Sequence, residues 1–187
     1  MTREISNRDD TIDSRDVIAR FAELTADKES LESEVESVQE QVTEAQDGLE
    51  EAKAEYETAI ENEEDAETIK EFAGVVKRAK NDLKVAKDEL EGAKDNLECW
   101  DDADEYESLR VLCDEGELSS VEWADGVTMI RDSYFEDYAQ ELAEEIGAIN
   151  HNLNWPNNCI DWERAANELK QDYTSIEFDG VEYWVRS

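Results

Sequence analysis

The chain has 187 residues, of which 53 are acidic and 18 are basic, for a formal net charge of -35. A charge of this size repels nucleic acids and anionic membranes and attracts basic protein surfaces, so direct binding to nucleic acid or membrane is not expected. No stretch approaches the roughly 20 consecutive apolar residues of a membrane-spanning helix. The 39% apolar content is low and the 38% charged content is high for a compact globule. This favours a narrow apolar seam with much solvated surface.

Residues 1–16 form a polar lead of mixed charge, which lacks the apolar core of a secretory signal. We therefore expect a cytoplasmic protein, located in the host cytoplasm if a phage encodes it. Cys99, Cys113 and Cys159 are widely spaced, and His151 is the single histidine. The clustered ligands of a structural zinc site are missing from this pattern. We expect three reduced, partly buried thiols, no metal and no cofactor.

Residues 17–100 predict a long helical arm. Apolar residues recur there at alternating spacings of four and three, a seven-residue repeat that is typical of coiled coils. In the first half the repeat runs through Val17, Phe21, Leu24, Lys28 (the one charged position), Leu31, Val35, Val38, Val42, Ala45, Leu49, Ala52, Tyr56 and Ala59. In the second half it runs through Ile69, Phe72, Val76, Ala79, Leu83, Ala86, Leu90, Ala93, Leu97 and Trp100. The polar stretch 61–67 between the two halves is expected to turn the chain.

We expect the second helix to fold back on the first as an antiparallel coiled-coil hairpin. When residues of the two helices are paired at equal distances from the turn, most pairs join a small residue to a larger one. Examples are Val42 with Ala86 and Leu49 with Ala79. Such pairing keeps the summed side-chain volume of each pair roughly constant and lets the helices approach closely. The alternative is two separate helices that pair between chains in a parallel dimer.

Acidic residues are distributed unevenly along the arm. Residues 17–61 contain 14 acidic and 3 basic residues, a net of -11, whereas residues 69–97 contain 6 acidic and 7 basic residues, a net of +1. A salt-adapted proteome would not leave one helix neutral beside an acidic one. The pattern therefore indicates that the acidity has a specific location.

Residues 101–187 predict a small acidic domain of two helices and a C-terminal β-hairpin, which makes the fold class α+β and mostly α. A short amphipathic pattern (Tyr106, Leu109, Leu112) comes first, and 118–130 is predicted to be irregular, with Trp123 and Met129 as anchors. Ser133 and Glu136 have the spacing of a capping box, and the helix that Ser133 begins is expected to end at Gly147.

A second helix is predicted around 161–173, and a hairpin follows it. Asp179-Gly180 lies between the strand-like runs 175–178 and 181–185, and both turn residues tolerate the positive φ of a two-residue hairpin. Because an isolated hairpin is only marginally stable, this hairpin is expected to pack on the two helices.

Residues 99–187 contain 23 acidic and 5 basic residues, a net of -18. The helix after Ser133 gathers several of these acidic residues on one face. Taken alone, such a run of charge is typical of a solvated helix surface.

We find no sequence pattern that indicates catalysis. A glycine-rich phosphate loop, a nucleophile elbow and a cysteine–histidine pair are all missing. Acidic residues are so numerous that close carboxylate pairs will occur by chance, and no single pair stands out. We therefore expect a protein that is not an enzyme.

Four segments carry a resemblance to a known family. They are 12–20 (IDSRDVIAR), 133–147 (SYFEDYAQELAEEIG), 155–162 (WPNNCIDW) and 172–186 (DYTSIEFDGVEYWVR). These segments resemble acidic phage-borne proteins, and the C-terminal part is similar to the ArdA antirestriction family. The resemblance covers roughly the last third of the chain and its opening, whereas the arm has no counterpart in that family.

The resemblance implies DNA mimicry, in which carboxylates placed like phosphates occupy the DNA groove of a restriction enzyme or another defence complex. It implies that the partner-binding residues are Glu136, Asp137, Glu141, Glu144 and Glu145. The partner would be the basic surface of a DNA-binding host protein.

The charge density of DNA limits where a surface that imitates DNA can lie. Duplex DNA carries one charge per ~1.7 Å of its axis, whereas the acidic residues of 17–61 fall about one per 5 Å of helix. The C-terminal domain, or a homodimer that joins two acidic surfaces, is therefore required. Two alternatives need no mimicry: a coiled-coil adaptor, and a regulatory protein that binds a host protein such as a transcription component.

Overall fold

The structure, a computed structural model, describes residues 5–150, 155 and 157–187. It divides into two compact units, one of residues up to Thr25 together with Asp102–Ser187, and the other of Ala26–Asp101. We call these the sheet unit and the helical unit. The chain is α+β and mostly helical, as the sequence predicted. Within the described ranges, no helix has both the length and the apolar character needed to cross a bilayer.

The helices and strands are defined as follows. In chain order they are β1 (Thr11–Asp13), α1 (Ser14–Glu61), α2 (Ala66–Glu98), α3 (Ala103–Ser119), β2 (Thr128–Arg131), α4 (Phe135–Glu145), α5 (Trp162–Leu169), β3 (Tyr173–Phe178) and β4 (Val181–Arg186). Short 3-10 helices occupy Asp132–Tyr134, Asn157–Cys159 and Lys170–Asp172.

The helical unit contains most of α1, a turn and α2. Glu63, between the two helices, has a φ of 53°, which is in the left-handed region. Asp65 then caps α2, because its carboxylate accepts hydrogen bonds from the backbone N–H groups of Glu67 at 2.9 Å and Thr68 at 3.1 Å. The break between α1 and α2 thus lies within the stretch 61–67.

Each helix of the helical unit has one apolar stripe. The buried residues of the two stripes are Val42, Leu49, Ala52 and Ala59 on α1, and Ala86 and Ala93 on α2. The other repeat positions from Leu31 to Leu97 are half-buried, whereas most residues between them are exposed. The seven-residue repeat therefore identifies the least exposed residues of both helices.

The sheet unit is built on a four-stranded antiparallel sheet with the strand order β1-β2-β4-β3. The turn Asp179-Gly180 joins β3 to β4 with φ values of 47° and 75°, as a two-residue hairpin requires. Ile176 lies opposite Tyr183, and both are buried on the same face. The predicted C-terminal hairpin is confirmed.

The hairpin is only half of the sheet, so the prediction of a two-stranded ribbon was wrong. β1 lies in the lead 1–16, and β2 lies in the segment 118–130 that was expected to be irregular. Thr11 pairs with Ile130, and Ile130 pairs with Trp184 of β4. Strands of three and four residues are too short to show a two-residue period, and their partners are distant in sequence.

The prediction of two helices in this part of the chain also missed a third one, α3. It has 17 residues, and its Leu109 and Leu112 are buried. The ring of Tyr106 lies 5.4 Å from that of Phe21. The short amphipathic pattern noted in the sequence is therefore part of a longer helix.

Ser14 fastens the loop before β2 to the start of α1. Its Oγ donates a hydrogen bond to the carbonyl of Trp123 at 2.7 Å and accepts one from the N–H of Val127 at 2.8 Å. The Trp123 ring packs so closely on Gly116 of α3 that an added Cβ would lie 2.4 Å from it. Trp123 and Met129 are both buried, as their role of anchors predicted. These contacts fix β2, from which the chain enters α4.

Candidate functional site: the acidic face of helix α4

Helix α4 is held on the sheet by one apolar face. Phe135 and Ala139 are buried and cluster with Ile130 of β2 and Ala166 of α5. The spacing of four places Phe135 and Ala139 on one side of the helix. The Trp184 ring lies 6.1 Å from that of Phe135, in an edge-on arrangement. α4 is therefore anchored at both its start and its middle.

A hydrogen bond between two tyrosines adds to this anchor. The hydroxyl groups of Tyr138 and Tyr173 lie 3.1 Å apart, and burial is the main cause that raises the pKa of Tyr173. The phenol of Tyr173 therefore remains neutral over the physiological pH range. The link joins α4 to the first residue of β3.

The start of α4 differs from the predicted capping box. Asp132–Tyr134 form a 3-10 turn, and no side-chain hydrogen bond caps the α-helix that follows at Phe135. Ser133 is not an N-cap because Tyr134, the residue before α4, already has helical dihedral angles. At the other end, α4 stops at Glu145, and Gly147 has the left-handed φ of 72° expected after a helix.

The acidic side chains predicted on this helix lie together on the face away from the sheet. We call Glu136, Asp137, Glu141, Glu144 and Glu145 the α4 acidic face. Four of these residues are exposed, and Glu144 is half-buried. The chain after α4 returns to the helix end there, because the N–H of Ala148 bonds to the carbonyl of Ala143 at 2.9 Å. The structure therefore brings the five predicted residues onto one short helix.

The charge density of this face differs from that of the arm. α4 has 11 residues and five carboxylates, so it is about 16 Å long with one carboxylate per roughly 3 Å. Phosphates follow one another at about 3.4 Å along each strand of duplex DNA. The carboxylates of α4 are therefore more closely spaced than those of the first helix of the arm, and their spacing is close to that of one strand of DNA, which is about half the charge density of the duplex.

Three of the carboxylates of α4 are placed against the stability of the helix. Glu144 and Glu145 lie in the last turn, where the helix dipole favours cations and where α4 has no basic residue. Asp137 and Glu141 are four residues apart, as are Glu141 and Glu145, and like charges at this spacing repel each other. Helix stability therefore does not account for this arrangement.

Two residues that the sequence did not indicate extend the face. The hydroxyl of Tyr134 donates a hydrogen bond to Glu141, which, together with partial burial, raises the pKa of Tyr134 to about 12. Asp10 and Asp137 act on the same hydroxyl with their negative charge. Asp10 is brought there because its carbonyl accepts a hydrogen bond from the N–H of Arg131 at 2.9 Å, beside the β1–β2 pair. No local sequence signal could have found it.

Lys170 lies near α4 but on its inner side. Its ammonium group is 5.1 Å from the ring centroid of Phe135 and 4.7 Å from that of Trp184, and it donates to Asp132. This cation is paired with Asp132 and covers aromatic rings on the inner side of α4. Over the described residues, no three side chains of His, Cys, Asp or Glu are grouped as metal ligands would be.

We compared the chain with known proteins. No family model matches it, and neither a curated protein nor a solved structure is significantly similar to it. The resemblance to the antirestriction family therefore remains a prediction from the four segments.

Proposed function

We propose that this protein is an acidic DNA-mimic inhibitor of a host DNA-binding or defence complex, acting by binding rather than by catalysis. The α4 acidic face would be its contact surface and would bind the basic surface on which the target normally holds DNA. The observation that carries the proposal is the spacing of its carboxylates, about one per 3 Å on a helix anchored to the sheet.

Anchoring matters for affinity. Ordering mobile side chains and loops on binding costs free energy, and a surface that is already fixed avoids much of that cost. The apolar contacts of Phe135 and Ala139 hold the backbone of α4, and Tyr134 holds the carboxylate of Glu141. The face is therefore suited to present charges at fixed positions, as a DNA strand does.

The length of α4 limits what one copy can do. A helix of about 16 Å covers roughly five phosphates of one strand, whereas DNA-binding proteins commonly contact 6–10 phosphates. Asp10 lengthens the face by one charge at the β1–β2 edge. A homodimer that joins two acidic faces would supply the remainder.

We assign the arm a supporting role. We propose that α1 and α2 pair as an antiparallel coiled-coil hairpin, which the two stripes of buried residues support. Such a hairpin gives the host-cytoplasmic inhibitor a spacer or a dimerisation element. Its exposed acidic residues would then serve solubility.

One observation favours the adaptor as a second candidate. A groove of about 380 Å³ at the turn end of the helical unit is lined by Ala54, Thr58 and Ala59 of α1 and by Phe72 of α2. An adaptor would bind a host protein there without mimicry. Ala54→Arg would fill the groove and end that binding, whereas Ala73→Arg, at another exposed alanine, would not.

Two variants with the same change in charge test the first proposal. The α4 variant combines Glu136→Gln, Asp137→Asn, Glu141→Gln, Glu144→Gln and Glu145→Gln. The arm variant combines Glu29→Gln, Glu36→Gln, Glu40→Gln, Glu44→Gln and Glu57→Gln, all at exposed positions of α1. Each loses five negative charges, so any effect of net charge is shared.

The assay is the plating efficiency of unmodified phage on a bacterial host with an active restriction system. We expect the natural protein and the arm variant to protect the phage, and the α4 variant to lose most of that protection. Equal protection by the two variants would show that the α4 acidic face is not the contact surface.

A further inference from the structure

A second surface lies on the sheet unit, between the end of α3 and the β3–β4 hairpin. It is a groove of about 590 Å³ lined by Glu115, Leu118, Ser119, Ser175, Ile176, Glu177, Gly180 and Glu182. A neighbouring depression of about 290 Å³ shares three of these residues and adds Val111. We call the two together the β3-edge groove. None of its residues belongs to the α4 acidic face.

The strand that borders this groove is the last one of the sheet. β3 pairs with β4 on one side, and no described strand lies on the other. In a two-residue hairpin the residues that flank the turn bond to each other, and the pattern then alternates. Phe178 and Ile176 therefore bond to β4, whereas Ser175 and Glu177 direct their backbone N–H and C=O groups outward.

The outward backbone of Glu177 has only a weak internal partner. Its N–H points to Oε2 of Glu115 at 3.5 Å, the long end of the hydrogen-bond range. A carbonyl from an added strand would make a shorter bond and would release the carboxylate of Glu115. The edge is therefore ready to accept a partner.

The groove also exposes apolar side chains. Leu118, at the end of α3, is 90% exposed, and Val121 shortly after it is 94% exposed. Leu118 lines the groove next to the open strand edge, and an apolar side chain exposed to this degree there forms part of a surface that a partner can cover. Gly180 at the turn leaves the end of the groove open, because nothing lies within 4 Å of the position of an added Cβ.

The negative charge of the groove favours a basic binding partner. Glu115, Glu177 and Glu182 line it, and Asp179 lies at its far end. A second copy of this chain would place the same carboxylates against each other, which disfavours edge-to-edge pairing. A segment that carries lysine or arginine would be attracted instead.

We propose that the β3-edge groove binds an extended basic peptide segment of a partner protein, which adds to β3 as a fifth strand. Backbone bonds to Ser175 and Glu177 supply the affinity, as in other cases of strand addition. Successive side chains of a strand point to opposite faces. Basic side chains would therefore face Glu177 and Glu182, and apolar side chains would face Leu118.

The probe is a library of fluorescent nine-residue peptides in which Lys or Arg alternates with Val, Ile or Thr, measured by fluorescence anisotropy at moderate salt. The best binder is then resynthesised with N-methyl groups on alternate residues, once on each edge of its backbone. Charge and side chains are the same in the two forms. We expect one form to bind at least tenfold more weakly and the other to bind like the parent peptide.

A protein variant tests the other side of the contact. Ser175→Pro removes an N–H that faces outward, and proline is tolerated at such edge positions, whereas Ser175→Ala keeps the N–H. We expect the proline variant to lose peptide binding at least tenfold and the alanine variant to retain it. Leu118→Asn should weaken peptide binding severalfold without affecting folding. The control is Val85→Asn on the exposed surface of α2, which should leave peptide binding unchanged.

Three results would overturn the proposal. Equal binding of both N-methylated forms would show attraction by charge alone. Failure of every peptide in the library to bind would exclude the basic occupant. A concentration-dependent dimer in sedimentation that Ser175→Pro abolishes would make a second copy the occupant.

Discussion

Trp184 donates a hydrogen bond from its indole Nε1 to Oδ1 of Asp132 at 2.8 Å, which joins the last strand of the sheet to the turn before α4. Lys170 donates to the same oxygen. The hydrogen bond from Lys170, followed by that from Trp184, lowers the pKa of Asp132 below 3.8. The base of α4 therefore depends on an ionised carboxylate.

We predict that Asp132→Asn lowers the free energy of unfolding by about 0.5–1 kcal/mol at pH 7. The effect is this small because Asp132 is partly exposed and water screens its ion pair. A depressed folded-state pKa stabilises the fold above the unfolded pKa and loses that effect as pH falls through the folded value. The difference between the two proteins should thus shrink as pH falls below about 4, and it should disappear only below the lowered folded-state pKa of Asp132. Urea titrations at several pH values measure it. Asp125→Asn, at another exposed carboxylate of the sheet unit, should show no such loss at pH 7.

The last turn of α4 yields a prediction of the opposite sign. Replacing Glu144 and Glu145 by glutamine should stabilise the protein by about 0.3 kcal/mol each at low salt, because both charges oppose the helix dipole. Replacing Glu136 and Asp137 in the first turn should give no comparable gain, since the dipole favours acidic residues there. Thermal unfolding at low and high salt measures both. Destabilisation by the first pair of substitutions would show that these glutamates serve the fold.

Repeats sustained over many residues made much of this fold predictable. The short strands could not be predicted, because they pair with segments that are distant in the sequence. The seven-residue repeat identified the buried stripes from Val42 to Ala93, and Asp179-Gly180 located the hairpin. β1 and β2 escaped prediction because three or four residues give no periodic signal, and their order in the sheet depends on tertiary contacts.

The candidate site shows the same division. Helical spacing alone gathers Glu136 to Glu145 on one helix, so the sequence was sufficient for the core of the site. Asp10 reaches the site only through the pairing of β1 with β2, and Tyr134 only through a 3-10 turn that replaced the predicted capping box. Both depend on contacts that no local pattern encodes.

Gly116 is predicted to be essential for the packing of α3. Gly116→Ala would force the Trp123 ring or the helix to move, because the added Cβ would lie 2.4 Å from ring carbons. We expect a loss of about 2 kcal/mol. Gly92→Ala on α2 is the matched control, because its Cβ meets nothing within 4 Å, and it should gain about 0.5–1 kcal/mol. Chemical denaturation of the two variants compares them, and equal effects would contradict this account of the contact.

The three free thiols should react at two different rates. Cys99 and Cys159 are exposed, contrary to the expectation of three partly buried thiols, and Cys113 is buried. Burial, followed by the charges of Glu117 and Asp114, raises the pKa of Cys113 to about 11. Since the thiolate is the reactive form, a disulfide reagent at pH 8 should modify two thiols quickly and the third at least tenfold more slowly. Three equal rates would show that α3 does not protect Cys113.

The central claim is that the α4 acidic face imitates DNA, and displacement by DNA tests it most directly. The experiment uses tagged forms of the natural protein, the α4 variant and the arm variant to capture partners from nuclease-treated bacterial lysate. The captured partners are identified by mass spectrometry, and duplex DNA or salt is then added to test whether they are released. We predict that the natural protein and the arm variant retain the same DNA-binding complex, that duplex DNA and higher salt release it, and that the α4 variant fails to capture it. A partner that the α4 variant still captures, or that duplex DNA does not displace, would contradict the claim.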